Sequence, residues 1–309
     1  MSEGASTVNK SFDSDGLQFA WDSSSLELAM ACPRKYYYRM IAGIAPKDSS
    51  VHLLFGGIFA KAIETFYKLR ANGSTIDEAT VAVTKLALLD SWDQTTGQPK
   101  VFDDAAKTRS TLIRSIIWYL EEFADETDSA IQTVILEDGR PAVELSFALE
   151  FAEGLLYCGH LDRVVDYMGG RYWLDNKTTK SALTSYFFNK YSMSSQFFGY
   201  TWAGQTILRS PIRGGIIDAA NIQVGATLFQ RQPITYTADR IEEWHDNARD
   251  IISLMRSYTA LQKFPMNLAS CENYGGCPYK GLCNTSPRIR DFYQKSNFVP
   301  TVWDPLEPR

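Results

Sequence analysis

Residues 159–180 read GHLDRVVDYMGGRYWLDNKTTK. Two β-branched and aromatic runs flank Gly169 and Gly170, the pattern of antiparallel strands joined by a tight hairpin. Asp162 lies on the first run and Asp175 on the second. With the glycines roughly midway, the two carboxylates fall close together across the strands. Such charge is expensive to desolvate. Two carboxylates that close repel, so one takes a proton unless a cation sits between them. Oxygen ligands with water in the remaining positions suit Mg2+ or Mn2+. Lys177, two residues beyond Asp175, points to the same strand face. There it is placed to orient or deprotonate an attacking water and to stabilise charge building on a phosphate. The intervening Asn176 offers its backbone carbonyl alone. The plain alternative for an isolated D-x-K is a hairpin with surface salt bridges.

Upstream the chain is helical. In residues 21–40, WDSSSLELAMACPRKYYYRM, Ser24 and Glu27 have capping-box spacing, and Leu28, Ala29 and Cys32 share a face before Pro33. Residues 55–73, FGGIFAKAIETFYKLRANG, form a second helix burying Phe59, Ala62, Ile63, Phe66 and Tyr67 and stopped by Gly73. A third spans about 104–125. Residues 142–151, AVELSFALEF, read as a strand. Beyond the hairpin come a long buried helix over about 182–208, strands within 216–237 and an amphipathic helix over 239–262. Residues 1–16 are expected to be disordered, 17–290 to form one elaborated α/β domain, and 291–309 to be a tail.

The chain has 309 residues, 45% hydrophobic and 22% charged, an ordinary globular composition. No apolar run reaches the ~18–20 residues that cross a membrane. The polar start MSEGASTVNKSFDSDG lacks the apolar centre of a signal peptide. A soluble, cytoplasmic protein is expected. The net charge of −5 argues against a nonspecific nucleic-acid coat. It leaves open an acidic, metal-dependent site with local basic patches. Arg34, Lys35 and Arg39 interleave with Tyr36, Tyr37 and Tyr38, a mix that tracks phosphates and stacks bases, or else packs in the core. Lys177, Lys180 and Lys190 add positive charge beside the acid pair.

Five cysteines are too few for a disulfide scaffold at this length. Cys271, Cys277 and Cys283 sit in CENYGGCPYKGLC, and one further thiolate would complete a four-cysteine site. Zinc suits such a set, and unliganded cysteines remain an alternative. Cys158 reads as a small buried residue.

The order G-x-L-D, strand, turn, strand, D-x-K-T resembles the core of the PD-(D/E)XK nucleases, in particular their RecB-like branch. Gln196 and Tyr200 match the Q-x-x-x-Y which that branch carries on the following helix, spaced to share one face. Cys32, heading CPRKYYYRM, is similar to the N-terminal cysteine of the iron–sulfur members. In those, one N-terminal and three C-terminal cysteines hold a 4Fe–4S cluster. The resemblance covers about residues 21–284. It implies a restriction-endonuclease-like core, a central mixed sheet flanked by helices, with the cysteine-rich C-terminal region packed on the N-terminal helix. It implies that Asp162 and Asp175 hold Mg2+ or Mn2+, that Lys177 positions the attacking water, and that Gln196 and Tyr200 order the site. Cys32, Cys271, Cys277 and Cys283 would hold the cluster, stapling distant parts of the chain. The activity implied is a DNA exonuclease acting on single strands or free ends in recombination or DNA processing. A helicase or recombination partner and a bacterial or phage-infected cell go with it.

Two features depart from the family. Its G-x-x-x-H places a metal-binding histidine where this chain, after Gly57, has Lys61. An ammonium has no lone pair to donate, so Glu64, one turn on, is the candidate substitute. His52 lies before the helix. The first C-terminal cysteine gap is five residues where the family commonly has two. A cluster-stabilised DNA-binding or adaptor protein with weak or lost cleavage is the alternative reading.

Overall fold

The computed structural model describes residues 10–47, 50–100, 102–127, 129–273 and 276–307. In chain order the elements begin with β1 (Ala20–Asp22), α1 (Ser23–Ala31), α2 (Pro33–Tyr36), β2 (Ile44–Pro46), α3 (Val51–Ala71), α4 (Ile76–Asp90), β3 (Trp92–Asp93) and β4 (Gln98–Pro99). Then follow α5 (Arg109–Phe123), β5 (Ile131–Thr133), β6 (Val143–Ala152), β7 (Leu155–Tyr167), β8 (Gly170–Thr179), α6 (Ser185–Asn189) and α7 (Ser195–Leu208). The chain closes with β9 (Gly214–Ile222), β10 (Thr227–Thr235), α8 (Ala238–Ala260), α9 (Lys280–Asn284), α10 (Arg290–Asn297) and β11 (Phe298–Pro300). No helix among the described residues is long and apolar enough to cross a membrane.

The chain divides into two compact units, each discontinuous in sequence. Residues 49–145 and 160–241 form one. Its sheet is mixed: β7 pairs antiparallel with β8, β8 parallel with β9, and β9 antiparallel with β10. α3 and α5 cover one face, where Phe59, Ile63, Phe66, Leu112 and Ile116 bury against Ala220 and Ile222. α7 covers the other, its Thr201 accepting from the Trp173 indole at 2.9 Å. Gly215 is required beneath that indole, because any Cβ there would collide with the ring.

Three elements differ from expectation here. The helix expected over 182–208 is broken into α6 and α7, and the Tyr236 hydroxyl donates to the Tyr191 carbonyl at 2.7 Å in the turn between them. α4 was not anticipated, although Thr75 and Glu78 form a reciprocal capping box before it. The hairpin turn is centred on Met168 and Gly169, at φ 47° and 69°, rather than on the two glycines. Positive φ at both central residues is the I′ geometry that matches strand twist.

Residues 1–48, 146–159 and 242–309 form the other unit; of the segment expected to be disordered, 1–9 lie outside the described residues, while Ser11 is buried and Phe12 bridges Gln18. α1 is capped by Asp22, which accepts from the Ser25 amide at 2.8 Å, and not by Ser24. Cys32 sits at φ −167°, ψ 112° because a residue preceding proline is pushed out of the helical region, and Pro33 then starts α2. Tyr36 stacks on Trp21 at 5.2 Å, Tyr37 on Phe264 at 4.8 Å and Tyr38 on Tyr279 at 5.4 Å. The three tyrosines are thus packing groups, the second of the two readings open to that segment. Residues after 290 form α10 and β11, with Phe298 stacked on Tyr279 at 5.4 Å.

Candidate active site

The β7–β8 register pairs Arg163 with Leu174. The paired stretch ends there, with Asp162 and Asp175 the next residue of each strand. The Asn176 amide donates to Asp162 Oδ2 at 3.3 Å, tying the second strand to the first acid. Asp175 and Lys177 project from one face of β8 toward α7, and Asn176 from the other, where its side chain donates to the Tyr119 hydroxyl at 3.5 Å.

Lys177 Nζ lies 2.7 Å from Asp175 Oδ2. Gln196, from the first turn of α7, spans the pair. Its oxygen accepts from Lys177 at 3.3 Å, and its amide donates to Asp175 Oδ1 at 3.4 Å. Tyr200, one turn on, is buried, and burial pushes its phenol up to about 12 despite the Gln196 hydrogen bond. Burial also raises Asp162, reinforced by the charges of Asp175 and Glu144 and opposed by Lys177. Asp175 is raised by burial against the pull of Lys177. Burial works to lower Lys177, but the Asp175 charge and hydrogen bond, with Asp162, hold it above its ordinary value. That upward shift favours the ammonium form, a hydrogen-bond donor.

α3 supplies a third wall. Lys61 turns to Asp90 at 2.7 Å and is half exposed. Glu64 lines a small cleft with Ala60, Tyr67, Glu144, Asp162, Arg163 and Asn176, while accepting from Lys68 at 2.5 Å. Glu144 escaped the sequence reading, because AVELSFALEF carries it as one polar residue of an alternating strand. It is held at φ 48°, with His160 Nδ1 3.8 Å from its carboxylate. Also missed was the support behind Asn176. The Tyr119 hydroxyl donates to Asp218 at 2.5 Å, and Arg231 reaches both, 3.1 Å from Asp218 and 3.0 Å from Tyr119. The only signal for that trio was an acid and an arginine inside strand-like runs.

Among the described residues no three His, Cys, Asp or Glu side chains gather closely enough to cage a metal ion. The donor chemistry on β7 and β8 nonetheless fits a hard divalent cation. The Asp175 charge adds to the cost of ionising buried Asp162, and further acids line the neighbouring cleft wall.

The other unit places the remaining site residues. Cys32 Sγ accepts from the Asn267 amide at 3.3 Å, and Cys271 Sγ reaches the Asn267 carbonyl at 3.8 Å. The Cys277 amide donates to the Cys271 carbonyl at 2.8 Å. Burial raises the Cys283 thiol, with Arg34 opposing and Cys277 and Cys32 adding to the rise. None of the four is in a disulfide. Cys158 is fully buried, and burial pushes it up to about 12.

No curated protein matches the chain. The sequence model of the PD-(D/E)XK nuclease superfamily matches residues 21–284, a span that takes in both acids, the lysine, the Gln196 helix and Cys32, Cys271, Cys277 and Cys283. The mixed sheet flanked by helices agrees with that core, and this chain belongs to the PD-(D/E)XK nuclease superfamily, whose members are metal-dependent nucleases.

Proposed function

We propose that this protein is a Mg2+- or Mn2+-dependent deoxyribonuclease of the RecB-like branch, working as an exonuclease on DNA ends. The observation that carries it is the Asp162–Asp175–Lys177 set, joined across β7 and β8 and spanned by Gln196. Asp162, Asp175 and the Asn176 carbonyl would hold the cation, with Glu64 taking the place left by the missing histidine. When bound, the cation supplies Lewis-acid stabilisation of the scissile phosphate. Lys177, held as an ammonium, donates to a phosphate oxygen as negative charge builds there. Gln196 fixes the lysine and Asp175 relative to each other, and Tyr200 closes the apolar side of the site. Water adds to phosphorus and the phosphorus–oxygen ester bond breaks, leaving a phosphate monoester and a hydroxyl. Cys32, Cys271, Cys277 and Cys283 would hold a 4Fe–4S cluster that ties N- and C-terminal segments together, a structural rather than redox task.

The test is incubation of end-labelled single- and double-stranded DNA with Mn2+, comparing the intact protein with Lys177→Ala. Cleavage abolished by the substitution is the expected result. Binding without cleavage by the intact protein would overturn the enzyme reading and favour a DNA-binding adaptor.

A further inference from the structure

Beside Lys177 the segment 185–194 is built in a way that the acid–lysine site does not account for. Phe187 and Phe188 anchor α6 in the core, each about 4% exposed. Tyr191 stacks on Phe197 at 5.0 Å, and Phe197 lies under the Lys177 ammonium at 5.9 Å. The turn between α6 and α7 is clamped by the Tyr236 hydroxyl on the Tyr191 carbonyl and by Arg240 on the Ser192 carbonyl at 3.0 Å. From this fixed base two apolar side chains stand out into solvent: Tyr186, 88% exposed, and Met193, 75% exposed.

The charge beside them is equally particular. Lys190 Nζ sits over the rings of Phe187 at 4.1 Å and Tyr191 at 4.7 Å. Among the described residues it makes no ion pair, whereas Lys180 is neutralised by Asp104 at 2.6 Å. It is also near enough to Lys177 for the two charges to oppose each other. A phosphate beside Lys190 would relieve that opposition. α6 thus exposes one aromatic ring, and the ammonium at its end is linked through the Tyr191 and Phe197 rings to the ammonium of the candidate cleavage site. Rings that stack on bases and cations that follow phosphates are what an unpaired strand requires.

We infer that α6 and the turn after it receive the unpaired end of a DNA strand, Tyr186 stacking on a base and Lys190 holding a phosphate next to the one at Lys177. The inference rests on the nuclease reading and names its substrate as single-stranded or frayed. Duplex DNA offers no free base face to Tyr186 and is bound through phosphates alone.

Fluorescence anisotropy with a fluorescein-labelled single-stranded oligonucleotide and a blunt hairpin duplex, in EDTA to prevent cleavage, tests it. Tyr186→Ala should weaken single-strand binding about tenfold, Tyr186→Phe should keep it within about twofold, and neither should change duplex binding. Lys190→Ala should weaken both and flatten the salt dependence by about one phosphate contact. Since Tyr186 is exposed, these variants should fold like the parent, checked by circular dichroism. Unchanged single-strand binding by Tyr186→Ala, in a protein that still cleaves DNA through Lys177, would overturn this inference and leave the nuclease reading standing. Tyr186-dependent binding with no cleavage by the intact protein would do the reverse.

Discussion

Asp175 and Lys177, two positions apart on β8, hold each other at 2.7 Å with Gln196 bonded to both. The acid is nearly buried and the lysine about a quarter exposed, so neither is well served by water alone. Lys177→Met should cut cleavage by about 10²–10³-fold, the usual cost of removing one donor to developing charge. It should also cost on the order of 1–3 kcal/mol of stability, below the full value for a buried pair because the lysine keeps solvent access. Urea unfolding should show part of that loss recovered in the Asp175→Asn/Lys177→Met double variant. A single variant as stable as the parent would mean that the pair contributes nothing to the fold.

Asp162 gives the protein a pH signature. Its folded pKa is raised by burial and by Asp175 and Glu144. The folded chain therefore holds a proton that the unfolded chain releases. Stability from this group is complete below the ordinary value of 3.8 and is lost as pH rises through the folded value. In EDTA the Tm should fall from mildly acidic toward neutral pH, Mg2+ should restore it most at the higher pH, and Asp162→Asn should flatten the EDTA profile. An Asp162→Asn profile as steep as that of the parent would remove Asp162 as its source.

Lys61 occupies the family's histidine position in sequence but faces Asp90, whereas Glu64 lines the cleft. Lys61→Ala should keep cleavage within about threefold, as an exposed ion pair contributes little. Glu64→Ala should lose most of the activity at low Mn2+ and recover part of it as Mn2+ is raised. Equal effects of the two substitutions would contradict the geometry.

Glu144 combines a cleft carboxylate with a backbone that L side chains adopt reluctantly. Glu144→Gly and Glu144→Ala both remove the acid, but only glycine relieves the left-handed conformation, worth about 1 kcal/mol. Thermal melts should rank the glycine variant above the alanine variant, while both cleave DNA more slowly. The opposite ranking would mean that this φ carries no cost.

Protein purified without oxygen should be brown, absorb near about 400 nm and contain about four irons per chain. Cys32→Ser or Cys283→Ser should bleach it and lower the Tm, and Cys158→Ser should do neither to the colour. Zinc in place of iron in the intact protein would reassign the site.

The candidate site was legible in the sequence because its parts are local. Asp162, Asp175 and Lys177 sit on one hairpin, where a period of two and one tight turn decide which side chains meet, and Gln196 and Tyr200 follow within one helix. Helical periodicity likewise located α3, α5 and α8, since one buried stripe is enough to announce each. What lay beyond reading needed contacts distant in sequence. Whether Tyr36, Tyr37 and Tyr38 stack on protein or on bases depended on Trp21, Phe264 and Tyr279 arriving beside them. The turn between α6 and α7 meets a hydroxyl from Tyr236. That Glu64 lines the same cleft as Asp162 while Lys61 turns to Asp90 was settled by the rotation of α3, and Glu144 lines that cleft from a left-handed residue at the start of β6. Strand and helix periods fix which residues share a face; only packing fixes what that face meets.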